Sequence, residues 1–304
     1  MAIKPFIILI AGPTASGKSK LAIELSKSLN SEIINADSMQ VYKELSILTS
    51  RPSKEDEKRI KHHLYGMISS NKIFSTGSWL KLAIKKINLI LKKGKVVIVV
   101  GGTGLYFKAL LDGLVKIPTI PKKLRSKIRN DHKKIGQTKF YKKLIKLDPQ
   151  AKKFITKNDV HRTLRAYEVK KFTKKSIYIW FKNTKSNFPK KLFKKFFINT
   201  PRAKLIDKIN SRVDQMFMLG ASNEVRKFLE KKINNERSAH KIIGVKEISD
   251  YINNKISLDE AKKLIKIRTR QYAKRQFTWS RGNMRSWEMI ETSNYGEILK
   301  KIRK

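Results

Sequence analysis

The 304-residue chain has no cysteine. That excludes a disulfide framework, a thiolate nucleophile and a cysteine-ligated zinc site. Histidine is scarce, with five residues and no His-x-x-x-His pair. His62-His63 is adjacent rather than at metal-ligand spacing, so it reads as structural or substrate-proximal, not zinc-binding. Long apolar runs are also missing. The longest are Phe6–Ala11 and Val96–Val100, far below the ~20 residues that span a bilayer. A glycine-rich motif begins at Gly12, leaving no room for a removable leader. The expectation is a soluble, cytoplasmic chain without membrane contact. Acidic residues are few: 24 Asp and Glu stand against 70 Lys and Arg, for a formal charge of +46.

That charge has two readings. A basic chain is often a polyanion binder. But Lys greatly outnumbers Arg, and Ile and Asn are abundant, the codon bias of an AT-rich genome. Composition alone does not choose between them, so the placement of arginines and aromatics must. Hydrophobic residues make up 40% of the chain, enough for a core and too many for wholesale disorder. The length suits two domains, or one core with an insertion.

The first segment reads strand, loop, helix. Phe6–Ile10 is a continuous apolar run, as in a strand buried on both faces of a parallel sheet. Gly12 to Ser19 forms the loop. Leu21, Ala22, Leu25 and Leu29 then recur at helical spacing. A second strand, Glu32–Asn35, runs into Ala36-Asp37. A helix over Trp79–Lys92 precedes a third strand, Lys95–Val100, which ends in Gly101-Gly102-Thr103-Gly104. This alternation predicts an α/β core with a parallel sheet flanked by helices. Ligands of such sheets sit at the carboxyl ends of the strands, so the three turns should converge. Pro118 and Pro121 break the pattern, and a basic, mostly helical stretch follows to about Asn199. Pro201 opens another helix, 202–219. The expected division is therefore a P-loop core of residues 1–117 and 202–304 and a helical insertion of residues 118–201. Lysine-rich pieces such as Lys190-Lys191 and Lys194-Lys195 read as solvated faces.

Gly12-Pro13-Thr14-Ala15-Ser16-Gly17-Lys18-Ser19 fits the phosphate-loop pattern G-x-x-x-x-G-K-S/T between a strand and a helix. Glycines let backbone N–H groups face inward as an anion nest, and the helix N-terminus adds partial positive charge. Lys18 adds a full charge, and Ser19 can hold Mg²⁺. The motif calls for a di- or triphosphate, not necessarily a nucleotide. An ordinary nucleotide hydrolase would end an apolar strand in a metal-holding Asp; Val96–Val100 ends in glycines instead. The nearest strand-end carboxylate is Asp37, which can be a metal ligand, a general base or merely a helix N-cap. Ile265–Arg281 carries Arg268, Arg270, Lys274, Arg275 and Arg281 among Tyr272, Phe277 and Trp279, a pattern suited to a phosphate track. Tyr272 and Trp279 themselves read as core.

The segments Gly-Pro-Thr-Ala-Ser-Gly-Lys-Ser (12–19), Ala-Asp-Ser-Met-Gln-Val-Tyr (36–42), Gly-Gly-Thr-Gly-Leu-Tyr (101–106) and Thr-Arg-Gln-Tyr-Ala-Lys-Arg-Gln-Phe-Thr-Trp (269–279) resemble the bacterial tRNA dimethylallyltransferases, in order and spacing across almost the whole chain. Residues 159–169 and 212–216 are also similar to family segments. The resemblance implies a P-loop NTPase-like fold with a helical tRNA-binding insertion. It implies transfer of a dimethylallyl group from dimethylallyl diphosphate to N6 of an adenosine beside the tRNA anticodon, with Mg²⁺ and with diphosphate as leaving group. By the same resemblance Asp37 is the base, with Thr103 near the reacting centre and Lys18 on the phosphates. Gly12, Pro13, Thr14, Ala15, Ser16, Gly17, Lys18 and Ser19 hold the diphosphate. Asp37, Ser38, Met39, Gln40 and Thr103 face the flipped adenosine. Arg125, His161, Arg162, Thr163, Leu164 and Arg165 meet the anticodon stem-loop. The sequence departs from the family at His161, where glutamine is usual, at Val245, where tyrosine is usual, and mildly at Ser19. A monomer is expected. The competing expectations are a small-molecule or nucleoside kinase using the loop for ATP, and an RNA-binding module with a degenerate nucleotide site.

Overall fold

The computed structural model describes residues 5–181, 184–291 and 295–303. Contact density divides the chain into two compact units, residues 1–111 with 187–304, and residues 112–186.

In the larger unit the elements run β1 (Ile7–Ala11), α1 (Lys18–Leu29), β2 (Ser31–Asn35), α2 (Ser46–Thr49), α3 (Lys54–Arg59), β3 (His62–His63), α4 (Thr76–Lys92), β4 (Val96–Gly101) and α5 (Gly104–Asp112). The smaller unit contributes α6 (Lys122–Leu147), α7 (Val160–Thr173) and α8 (Ile177–Phe181). The larger unit resumes with β5 (Phe193–Ile198), α9 (Arg202–Met218), α10 (Ala221–Glu230), α11 (Val245–Ile252), α12 (Leu258–Asn283), β6 (Glu288–Ile290) and α13 (Tyr295–Arg303). Six strands form one parallel sheet in the order β3-β2-β4-β1-β5-β6. Every residue of β1, β2 and β4 is buried. This is why β1 and β4 read as unbroken apolar runs rather than alternating ones, whereas β2 buries Ser31, Glu32 and Asn35 as well.

The sheet corrects the expected domain boundary. Phe193–Ile198 lies inside the stretch assigned to the insertion, yet it pairs with β1 in register from Ile7↔Phe193 to Ala11↔Phe197. The chain rejoins the larger unit at Asn187 and leaves it after Leu111, so the inserted unit is shorter than residues 118–201. Lys194 and Lys195 hide this strand from a hydropathy reading. They are not a freely solvated face. Lys194 Nζ donates to the carbonyl of Ile302 at 2.6 Å at the end of α13 and lies 5.3 Å from the Phe6 ring centre. Lys195 Nζ donates to Ser286 Oγ at 3.2 Å. Both bury their stems and keep the charged tip in a polar setting.

Helices cover both sheet faces. Trp79 of α4 is completely buried and stacks on Tyr106 of α5 at 4.2 Å between ring centres. Its indole N–H donates to the carbonyl of Asn35 at 2.7 Å, which ties α4 to the end of β2. A separate apolar cluster joins Tyr42 and Leu45 to Val213, Phe228, Ile248 and Ile265, packing α9 to α12 around the segment after β2. The smaller unit has its own core of Ile120, Leu144, Ala151, Ile155, Ala166, Val169 and Ile177. Within α6, Gly136 leaves helical geometry at φ 76° and kinks the helix. Among the described residues no helix is long and apolar enough to cross a membrane.

Candidate active site

The loop Gly12–Gly17 joins β1 to α1. Ala15 and Gly17 both take positive φ, 62° and 87°, the alternation that turns successive N–H groups inward. Gly12 has no room for a side chain: a Cβ would lie 2.8 Å from Ser16 Oγ and 3.1 Å from Ile198 Cβ. Lys18 Nζ donates to the carbonyl of Pro13 at 3.0 Å, so its ammonium is folded back over the loop. Burial pulls its pKa from 10.5 down to about 8; the Asp37 charge opposes this shift and the Arg212 charge adds to it.

Asp37 follows β2 and is positioned from both sides. Its N–H donates to Asn35 Oδ1 at 2.7 Å, and Asn35 Nδ2 donates to the carbonyls of Asp37 and Leu64 at 2.9 and 3.0 Å. Asp37 Oδ1 accepts from the N–H of Met39 at 2.9 Å. No helix starts there, since α2 begins at Ser46, so the N-cap reading is discarded. Asp37 closes an Asx turn that fixes its own carboxylate.

The Gly-Gly-Thr-Gly turn after β4 is explained glycine by glycine. A Cβ on Gly101 would fall 2.1 Å from the Ala36 backbone, on Gly102 2.2 Å from the Gln276 side chain, and on Gly104 2.2 Å from the Trp279 ring. Thr103 Oγ1 accepts from the N–H of Ser38 at 2.9 Å and donates to Ser38 Oγ at 3.2 Å. Thr103 thus steadies Asp37 through the adjacent residue, not by direct contact. The amide N–H₂ of Gln40 donates to the carbonyls of Thr49 and Ser50 at 2.8 and 3.0 Å. That leaves the side-chain carbonyl of Gln40 as the acceptor end on the cavity wall.

Two residues given no individual role from the sequence complete the arrangement. Gln276 of α12 accepts from the N–H of Thr14 at 2.8 Å and donates to the carbonyl of Gly102 at 2.9 Å, clamping the phosphate loop to the glycine turn. Arg212 of α9 donates to Thr14 Oγ1 at 2.9 Å. Burial lowers its pKa, and Asp37 counteracts. Its Nε is buried without a partner, a donor in want of an acceptor. The signal for both was available as polar side chains on otherwise apolar helix stripes. Tyr272 is corrected from core to cavity wall; burial first and then the Asp37 charge push its hydroxyl pKa up. Trp279 does pack against the sheet core.

A cavity of about 1370 Å³ collects several of these groups, though not Ser38, Thr103 or Gln276. Lys18, Ser19, Asp37, Gln40, Arg212 and Tyr272 line it beside apolar Met39, Leu48, Met216 and Ile265. Among the described residues no group of three His, Cys, Asp or Glu could cage a metal. His63 instead pairs with buried Glu32 at 2.7 Å.

The tRNA-facing residues expected from the sequence fall in the smaller unit. His161, Arg162 and Arg165 are exposed along α7. Thr163 is completely buried, donating to the carbonyl of Asp159 at 2.7 Å and accepting from Gln137 Nε2 at 3.2 Å; it is a helix fastener. Leu164 is half-buried. Asp159 caps α7 through the N–H of Arg162 at 3.0 Å and pairs with that residue's Nε at 3.3 Å. Arg125 and Arg165 converge on Glu168.

A parallel sheet with a strand–glycine loop–helix entry and a carboxylate at the next strand end defines a P-loop α/β enzyme core. The family model described as IPP transferase matches residues 40–283. The chain belongs to the IPP transferase family. It is 55% identical over 298 residues to the tRNA dimethylallyltransferase of Pelagibacter ubique, covering 98% of this chain and 95% of that one. It is 43% identical to the Rickettsia massiliae protein of the same name, over 98% and 82%. Among solved structures it is similar to the full-length tRNA isopentenylpyrophosphate transferase of Bacillus halodurans, with a TM-score of 0.70, 32% identity and coverage of 98% and 96%. A eukaryotic dimethylallyltransferase acting on tRNA matches with a TM-score of 0.79, 30% identity and coverage of 91% and 70%.

Proposed function

We propose that the chain transfers the dimethylallyl group of dimethylallyl diphosphate to the exocyclic N6 of the adenosine 3′-adjacent to a tRNA anticodon, as a cytoplasmic monomer. The observation that carries this reading is that Lys18 of the phosphate loop, Arg212 and Asp37 line a shared cavity. A donor diphosphate in the loop meets backbone N–H groups and two desolvated cations. As the allylic C–O bond breaks, charge grows on the diphosphate, and these fixed groups stabilise it. N6 is a poor nucleophile because its lone pair is delocalised into the ring. Asp37 accepts the N6 proton as the N–C bond forms, a service of ~10²–10⁴-fold. The target base must leave the anticodon-loop stack to reach this carboxylate.

Mg²⁺ fits the donor set as a substrate-carried ion. Ser19 lies in the first turn of α1 and is exposed, and Mg²⁺ commonly binds through one or two protein oxygens, substrate phosphates and waters. When bound it neutralises charge on the diphosphate. The kinase alternative finds no carboxylate at the end of β4. The test offers the chain tRNA with radiolabelled dimethylallyl diphosphate, and separately labelled ATP with candidate acceptors. Label moving from the first donor to tRNA is expected; label moving only from ATP would replace this reading by the kinase.

A further inference from the structure

Glu168 is the only glutamate between residues 112 and 186. Its side chain is 1% exposed, yet three guanidiniums reach it. Arg125 Nε lies 3.4 Å from Oε2, Arg129 Nε 3.3 Å from Oε1 and Arg165 Nη1 3.7 Å from Oε2. Arg125 and Arg129 stand one turn apart on α6, and Arg165 and Glu168 one turn apart on α7. One carboxylate therefore ties two helices together through three arginines.

The stoichiometry is informative. Neutralising one buried carboxylate takes one guanidinium. Three leave an excess of two positive charges, held close enough that their repulsion would splay them without the anion. The arginine side chains keep 44, 52 and 44% of their surface in solvent. Each guanidinium carries five N–H donors, and most stay available for a second acceptor. Fixed, outward-facing guanidiniums favour forked contacts to phosphate, where lysine is a poorer substitute.

Resting on the tRNA-modifying reading above, we propose that Glu168 is a positioning residue that holds Arg125, Arg129 and Arg165 as one preset cradle for the tRNA phosphate backbone. Arg129 thereby joins the RNA-contacting set, and the three arginines act as a unit.

The cradle and a diffuse positive field predict opposite signs for one substitution. Glu168→Gln raises the net charge by one, so a diffuse field would bind tRNA equally well or more tightly. A cradle that loses its anion loses its geometry and binds less well. The full chain is titrated with a fluorescent, unmodified tRNA transcript by anisotropy at several KCl concentrations, and KM and kcat for transfer are measured beside it. Glu168→Gln should raise Kd and KM for tRNA about 5–20-fold, with kcat at saturating tRNA within about twofold of wild type. The log–log salt slope should flatten by about one contact, ~0.7–0.9. In a background lacking all three arginines the substitution should add nothing. Equal or tighter tRNA binding overturns the cradle. So does a fall in kcat with KM unchanged, the mark of a merely structural residue. Should Glu168→Gln not fold, Arg129→Ala decides: it must raise Kd about threefold or more and flatten the slope, and an unchanged Kd overturns the proposal. If wild type transfers no label to tRNA, the functional reading fails on its own, while the anisotropy series still decides the cradle.

Discussion

The two units handle charge in inverse ways. In the larger one, the cations Lys18 and Arg212 are withdrawn from water, and burial lowers the pKa of both. In the smaller one, the anion Glu168 is withdrawn and its arginines fan toward solvent. A small, highly charged ligand can be enclosed, so its partners can wait desolvated inside a cavity and interact strongly when it arrives. A polymer cannot be enclosed, so its partners must stay at the surface with their directions fixed from below. The same lysine- and arginine-rich composition thus supplies two different devices. Net charge alone distinguishes neither.

The largest effect that would sharpen this contrast lies at Asp37, whose charge acts on both buried cations. Asp37→Ala should slow single-turnover transfer ~10²–10⁴-fold while tRNA affinity, measured by filter binding, stays near normal. Near-normal single-turnover rates would reduce Asp37 to the residue that closes its own Asx turn.

Next comes the desolvated ammonium. Lys18 in the free protein gives up its proton near pH 8 instead of at 10.5. Binding of inorganic diphosphate should therefore weaken as pH rises through about 8, by up to roughly tenfold per unit beyond it, and Lys18→Met should remove that dependence. The stability of the free protein responds with the opposite trend. Between the folded and unfolded pKa the unfolded chain binds more protons, so this group makes unfolding harder as pH rises. Calorimetry across pH 8–10 should show that gain in wild type and lose it in the variant. A flat diphosphate affinity across the window would mean the ammonium is solvated and the inversion between units is not real.

Much of this division was legible in the sequence, for physical reasons that differ by element. β1 and β4 announce themselves because burial on both faces demands an unbroken apolar run. The phosphate loop announces itself because its two glycines are demanded at fixed spacing, Gly12 by the lack of room for a Cβ and Gly17 by its positive φ. The glycine turn was visible, but its cause was not. Ala36, Gln276 and Trp279 crowd Gly101, Gly102 and Gly104 from positions up to about 175 residues away in sequence, and no local pattern reports such neighbours. β5 was lost for a related reason. Phe193-Lys194-Lys195-Phe196-Phe197-Ile198 looks half solvated because two lysines end on α13 and Ser286. Tyr272 sits on a helix whose register decides what it faces, and a register is settled by packing.

A smaller effect separates arginines held by buried anions from one held at the surface. Arg162 pairs with Asp159, the half-exposed cap of its own helix, and its side chain is 70% exposed. Arg162→Ala should raise Kd for tRNA only about two- to fivefold and flatten the salt slope by at most one contact. Its loss should add to that of Arg129→Ala, because the two share no partner carboxylate. Strong coupling between them would mean that α7 carries one continuous patch and that Glu168 does not mark a separate cradle.

The smallest effect tests whether the remaining charge matters at all. Lys81, Lys85 and Lys92 lie exposed on α4 of the larger unit, without a buried anion to aim them. Replacing all three with Ala removes as much charge as replacing Arg125, Arg129 and Arg165. Lysines of this kind are hydrated point charges on flexible stems, and at ~0.15 M salt a charge acts over only about 8 Å. The lysine triple should therefore leave tRNA affinity within about twofold and the salt slope unchanged, whereas the arginine triple should lose two to three phosphate contacts from that slope. Equal losses would show that the field of the whole chain attracts the RNA. The excess of lysine would then be functional, and the difference between the two units would be one of burial alone.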